Sequence, residues 1–182
     1  MDSIPGIELY CWYQDAKQAA IAQDIDANEL DWLLQTVTSI DQLALSLGTF
    51  QQQFRINSSK SLSELNQLWQ QRLQKRIPVQ YLVETVYWRR FQLKVTPAVL
   101  IPRPETELII DLAQENNLIT VPQQHWVDLG TGSGAIAVGL ANAFPQATVH
   151  AVDLSRDALK IAQENAIAVG LAERIRWYQG SW

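Results

Sequence analysis

The chain has 182 residues, 47% of them apolar, so it can bury one ordinary core or two small ones, and no stretch is polar enough to stay disordered. Its 14 Lys and Arg stand against 19 Asp and Glu, a net charge of -5 to which both halves contribute. That excludes the basic field that non-specific nucleic-acid binding needs, so no direct nucleic-acid partner is expected.

Residues 1–76 read as a small helical bundle. Ile7, Tyr10, Trp12, Tyr13, Ala16, Ala19 and Ala20 recur with roughly helical spacing and predict a first helix with one buried face. Cys11 lies in this apolar stretch and is expected to be a buried structural thiol. Asp26 and Glu29 fit a capping box, followed by the stripe Leu30, Leu33, Leu34 and Val37. A short helix over residues 43–47 should end at Gly48, and residues 51–59 read as a polar connector. Ser61 and Glu64 form a second capping box ahead of Leu62, Leu65, Leu68, Trp69 and Leu73. Acidic Asp2 and Glu8 stand where a secretory leader would carry basic residues, and the apolar runs are far too short to cross a membrane. A soluble, cytoplasmic chain with no membrane partner is the expectation.

The pattern changes at Ile77-Pro78. Residues 79–95 are rich in Val, Tyr, Trp and Phe and predict a β-hairpin, so residues 77–99 read as a linker between two domains. Pro97, Pro102 and Pro104 then impose a stiff, extended segment up to Glu105, after which a helix restarts over 107–115. From there strand and helix alternate: strands at 126–129, 148–153 and 175–178, helices at 135–144 and after Ser155. Alternation at these lengths predicts an α/β unit with a parallel sheet and crossover helices over residues 100–182.

The chemistry concentrates in Asp128-Leu129-Gly130-Thr131-Gly132-Ser133-Gly134, at the end of the first of these strands. Alternate glycines let the backbone turn tightly against a ligand, and the next helix aims its free amides at the same place. The spacing is Gly-x-Gly-x-Gly, whereas dinucleotide folds seat a pyrophosphate with Gly-x-Gly-x-x-Gly. Asp128 would repel a pyrophosphate and suits a cationic amino or sulfonium group. Asp153 ends the next strand, 23 residues after Gly130, where a carboxylate can accept both hydroxyls of a ribose. Together these residues describe an adenosyl ligand with an amino-acid tail. No metal site is expected.

Asp-x-Gly-x-Gly-x-Gly followed by an acidic strand end resembles the signature of class I S-adenosylmethionine methyltransferases, folds of the Rossmann-like type. Leu100-Ile101-Pro102-Arg103-Pro104-Glu105-Thr106-Glu107 is narrower and resembles the hallmark of the peptide chain release factor N5-glutamine methyltransferases. The order of helical domain, hairpin and proline-rich segment is similar to that family throughout. The resemblance implies S-adenosyl-L-methionine as cofactor, bound by Asp128, Gly130, Thr131, Gly132, Ser133 and Gly134 at its methionine end and by Asp153 at the ribose. It implies that Trp182 lies near the adenine, with Ser181 where the family has an acidic residue, and that Arg103 and Glu105 lie beside the substrate. The implied activity is methyl transfer to a glutamine side-chain nitrogen of a release factor, in translation termination, with residues 1–76 as the substrate-docking module.

The family's catalytic Asn-Pro-Pro-Tyr motif follows a further strand and does not occur in residues 1–182, so no catalytic residue is expected among them. Asn142 and Asn165 lie in helices without that context. A full fold of this class has more strands than the three read here, and the first strand would then be an exposed apolar edge through which the chain could self-associate. Poor solubility and no turnover by the chain alone are expected. Enzymes acting on a ribosomal-protein glutamine or on base amino groups share the motif and are the alternatives, together with a non-catalytic cofactor-binding remnant. A nicotinamide enzyme is disfavoured by the glycine spacing and Asp128.

Overall fold

The computed structural model describes residues 2–116 and 124–181. The chain divides into two compact units, Met1–Val83 and Glu84–Trp182.

The first unit runs β1 (Asp2–Ile4), α1 (Gly6–Ala22), α2 (Asn28–Val37), α3 (Gln42–Leu47), β2 (Ile56–Ser58), α4 (Leu62–Lys75) and α5 (Val79–Leu82). Leu9, Tyr13, Ala16 and Ala20 form the buried stripe of α1 and pack with Leu30, Leu33 and Leu34 of α2 and Leu65, Trp69 and Leu73 of α4. Trp69 is fully buried, and its indole N–H is satisfied by the Ala16 carbonyl at 3.0 Å. Ser61 and Glu64 make the expected capping box.

Five expectations for this region give way. Ile7, expected on the buried face of α1, is exposed. Cys11 is exposed, because its position falls between the turns of the buried α1 stripe. Asp26 accepts from the Asn28 amide, so no capping box forms there; Glu29 is drawn instead into a bidentate pair with Arg72, both contacts 2.6 Å. A two-residue turn closed by the Asp26 side chain competes successfully with the longer box, since Arg72 offers Glu29 a charged partner. A 3-10 turn at Thr49–Gln52 runs into the polar connector, which contains the strand β2, paired antiparallel with β1 and burying Ile56. Residues 79–82 are a helical turn begun after Pro78, not the first strand of a hairpin. Pro78 suits a helix start because its missing N–H would have no partner there.

The second unit opens with the hairpin β3 (Thr85–Trp88) and β4 (Phe91–Lys94). Its tight turn places Arg89 at φ 50°, and Arg89 is held there by Asp111 at 2.8 Å and by Glu107. The proline-rich segment that follows is not extended throughout: residues 96–99 turn, the Val99 amide donating to the Thr96 carbonyl at 3.0 Å, and Pro104–Glu107 form a 3-10 turn that leads into α6 (Leu108–Glu115). Proline at the first position of such a turn already has the required φ.

Then come β5 (His125–Leu129), α7 (Ala135–Ala143), β6 (Thr148–Asp153), α8 (Arg156–Ala168) and β7 (Ile175–Gln179), a parallel sheet of order β5-β6-β7. The α/β class and the expected strands and helices are therefore present, shifted by a residue or so. Helices α7 and α8 pack on the sheet against Val149, Ala151 and Ile175, which are buried. The alternate residues carry a row of His125, His150 and Tyr178 across the three strands, linked by His125 Nδ1 to His150 Nε2 and by His150 Nδ1 to the Tyr178 hydroxyl, each at 3.0 Å. Among the described residues β5 pairs with β6 alone, and Val127 and Leu129 are exposed along it.

Ser155 caps α8 by accepting from the Ala158 amide at 3.2 Å. Ser155→Ala is expected to cost about 1 kcal/mol, read as a lowered melting temperature. No change would mean that α8 is held by packing without its cap. No helix among the described residues is long and apolar enough to cross a membrane.

Candidate functional site

The turn between β5 and α7 owes its shape to three glycines with left-handed backbone, Gly130 (φ 76°), Gly132 (φ 54°) and Gly134 (φ 80°). Side chains rarely adopt this region without strain. The amides of Gly130 and Thr131 both donate to the Val152 carbonyl at 2.9 Å, which ties the turn to the end of β6. Gly134 closes it by donating to Thr131 O at 2.8 Å. A Cβ at Gly134 would stand 2.9 Å from the Ala162 Cβ, so this glycine also sets the close packing of the turn on α8. At Gly132 a Cβ would meet only the Gly130 carbonyl, at 3.9 Å, so the apex faces open space.

Two carboxylates frame the turn. Asp128 is buried beneath it and its Oδ2 accepts from the Thr131 hydroxyl at 2.7 Å and the Ala137 amide at 3.2 Å. Burial pushes its pKa above the ordinary carboxylate value; the two hydrogen bonds oppose the shift and the nearby Asp153 adds to it. Asp153 ends β6. Its Oδ2 accepts from the Gly132 amide and its Oδ1 from the Ser155 amide, each at 2.9 Å. A carboxylate oxygen has further acceptor capacity after one such bond, so Asp153 keeps room for ligand hydroxyls.

The sequence-selected residues Asp128, Gly130, Thr131, Gly132, Ser133, Gly134 and Asp153 are thus brought into one hydrogen-bonded cluster at the carboxyl ends of β5 and β6. Such strand ends are where open α/β sheets bind ligands. Arg103 and Glu105 are exposed on and before the 3-10 turn. The Arg103 carbonyl accepts from the indole of buried Trp88 at 3.2 Å. Trp182 lies outside the described residues.

The donor set fits an adenosyl ligand with an ammonium group. The open apex offers backbone to the ligand, Asp153 offers acceptors to a diol, and Asp128 offers negative charge to a cation. Two carboxylates at the same turn would oppose the pyrophosphate of a dinucleotide.

Asp128 also makes the site pH-sensitive. Its folded pKa is raised, so the native state holds the proton more tightly than the unfolded chain does. The resulting stabilisation is fully present below the ordinary carboxylate pKa and is lost as pH rises through the raised value. A cationic ligand favours the charged form, so its affinity is expected to fall as pH drops through that same window. Calorimetric titrations from neutral pH down into the ordinary carboxylate range test this, and an affinity flat throughout would remove Asp128 from the ligand's surroundings.

Residues that the sequence did not single out complete the frame. Asn165 of α8 is buried and holds the Ser133 carbonyl at 2.8 Å. Trp88 packs against α7, where a Cβ at Gly139 would lie 3.1 Å from its ring. Nothing in the local pattern distinguishes either from an ordinary helix or strand residue.

Residues 127–182 match the family model of a methyltransferase domain. Over 98% of its length the chain is 49% identical to the release factor glutamine methyltransferase of Synechocystis sp., of which it covers 60%. It is 43% identical over 97% of its length to the enzyme so named in Thermosynechococcus vestitus, covering 61% of that protein. The Gloeobacter violaceus protein of the same name is 44% identical over 94% of the chain, which covers 58% of it. The chain therefore spans about 60% of the length of these curated relatives.

Proposed function

We propose that this chain, a member of the release factor glutamine methyltransferase family, supplies the S-adenosylmethionine site of an enzyme that methylates a glutamine side chain of a peptide chain release factor. The observation that carries the reading is the glycine turn, clamped between Asp128 and Asp153, within a chain 49% identical to such an enzyme along nearly all its length. S-adenosylmethionine would supply a methyl group on a positively charged sulfur: the amide nitrogen attacks the methyl carbon in line, the carbon–sulfur bond breaks to release S-adenosylhomocysteine, and the nitrogen gives up one proton. The residues of this chain bind and orient. Gly130 to Gly134 receive the methionine end, Asp128 supports its charge, and Asp153 accepts the ribose hydroxyls.

Arg103 and Glu105 face the substrate side in this proposal, and the unit of residues 1–83 docks the release factor. A protein substrate of the translation apparatus fits an acidic chain in the cytoplasm that makes no direct nucleic-acid contact. Self-association through β5 is part of the proposal, because Val127 and Leu129 lie exposed on a strand that, among the described residues, pairs with β6 alone. Val127→Lys should then lower the mass seen by light scattering, and an unchanged mass would end that idea.

The principal test is calorimetric titration with S-adenosylmethionine, against NAD and an Asp153→Ala variant. Saturable binding is expected for the first alone, weakened at least tenfold in the variant. Binding of NAD, or cofactor binding indifferent to Asp153, would overturn the assignment.

A further inference from the structure

The glycine turn is also held from behind. Asn165 sits on α8 with its side chain buried, and all the hydrogen bonds of its carboxamide go to backbone atoms. Its Oδ1 accepts from the Lys94 amide at 2.6 Å, and its Nδ2 donates to the Lys94 carbonyl at 2.9 Å and to the Ser133 carbonyl at 2.8 Å. Toward β4 the carboxamide thus acts as a further strand would, exchanging one donor and one acceptor with a single residue. With its second N–H it grips the residue just before Gly134. Both amide hydrogens are used. The Lys94 side chain reinforces the junction through Glu164 at 3.0 Å.

The hairpin so fixed is the same one whose Trp88 holds the Arg103 carbonyl. The hairpin therefore joins two attachments, Ser133 and Asn165 to Lys94 at one end and Trp88 to Arg103 at the other, between the glycine turn and the proline-rich segment. Three residues of that turn have left-handed backbone, which leaves it costly to order unless something pins its carbonyls. Asparagine suits the task by its chemistry. Aspartate has the shape but no hydrogens to give, and would set a buried charge against two carbonyls.

We propose that Asn165 is a positioning residue for the cofactor site, latching the glycine turn at Ser133 to the hairpin at Lys94 and so holding it in register with the Arg103 segment. The proposal rests on the cofactor reading above for its functional consequence, but the latch itself is a property of the ligand-free chain.

The test compares three variants of the 182-residue chain, Asn165→Asp, Asn165→Ala and the packing control Ile161→Ala, which alters a buried apolar residue of the same helix. Amide hydrogen exchange is followed in the free chain at a temperature where each is folded, and S-adenosylhomocysteine is titrated by calorimetry. Expected are exchange at least tenfold faster at the Gly134 and Lys94 amides in both Asn165 variants, little change there in Ile161→Ala, and a tenfold or greater loss of affinity confined to the Asn165 variants. The alanine variant keeps the test open if the buried aspartate prevents folding. Equal exchange and equal affinity across all three would overturn the proposal and leave Asn165 as helix packing. Faster exchange with unaltered affinity would also overturn its role in binding. Faster exchange in a chain whose wild type binds no S-adenosylhomocysteine would uphold the latch and overturn the cofactor reading.

Discussion

Gly134→Ala is expected to destabilise the second unit by about 3 kcal/mol, from left-handed strain of about 1 kcal/mol and overpacking of about 2 kcal/mol. The overpacking arises because the new methyl would stand 2.9 Å from the Ala162 Cβ and 3.1 Å from its Cα, the latter a backbone atom that cannot rotate away. In a unit of this size that corresponds to a fall in melting temperature of roughly 15 °C. Ligand binding should be lost with it, since the turn closes through the Gly134 amide. Gly132→Ala separates the two causes. It has the same left-handed backbone but a clear Cβ position, so it should cost only the strain, about 1 kcal/mol. Melting curves of the two variants decide the matter. Equal losses would mean that packing on α8 does not shape the turn.

Asp128→Asn is expected to move stability and binding in opposite directions. The amide oxygen can still accept from the Thr131 hydroxyl and the Ala137 amide, so the turn keeps its geometry. The buried charge is gone, and with it the penalty that raises the Asp128 pKa. The ligand-free variant should therefore melt higher than wild type at neutral pH and converge with it under acid conditions, where Asp128 is protonated in both states of the wild type. Affinity for S-adenosylmethionine should fall about 100-fold, on the order of 3 kcal/mol, because a cation at this turn loses its charged partner. A variant that binds as tightly as wild type would show Asp128 to be part of the scaffold alone.

Much of the site was legible in one dimension because its constraints are local. Gly130, Gly132 and Gly134 are needed by the backbone itself, Asp128 stands just ahead of them in the sequence, and Asp153 ends the next strand. Ser61, Ser155 and Gly48 marked helix ends for the same reason, each acting on atoms within a few residues. The proposed substrate rests on the resemblance of residues 100–107 to one methyltransferase family, which no spacing argument could supply. Cys11 shows where local pattern fails. Its neighbours are apolar, but burial depends on which way the helix is turned, and the packing of α2 and α4 decided that.

The sequence by itself determined the α/β class, the glycine turn, the two carboxylates beside it and the kind of ligand they suit, since sterics and short-range hydrogen bonds act between residues close along the chain. Only the tertiary structure decided the contacts between distant residues. β1 pairs with β2 across more than 50 positions, Glu29 leaves its helix start for Arg72, and Asn165 reaches Lys94 at a separation of 71. Each involves residues whose types are common in helices and short strands, so no local signal sets them apart. Their partners are chosen by which surfaces the core brings together, and by the cost of leaving a buried polar group unpaired once it has done so.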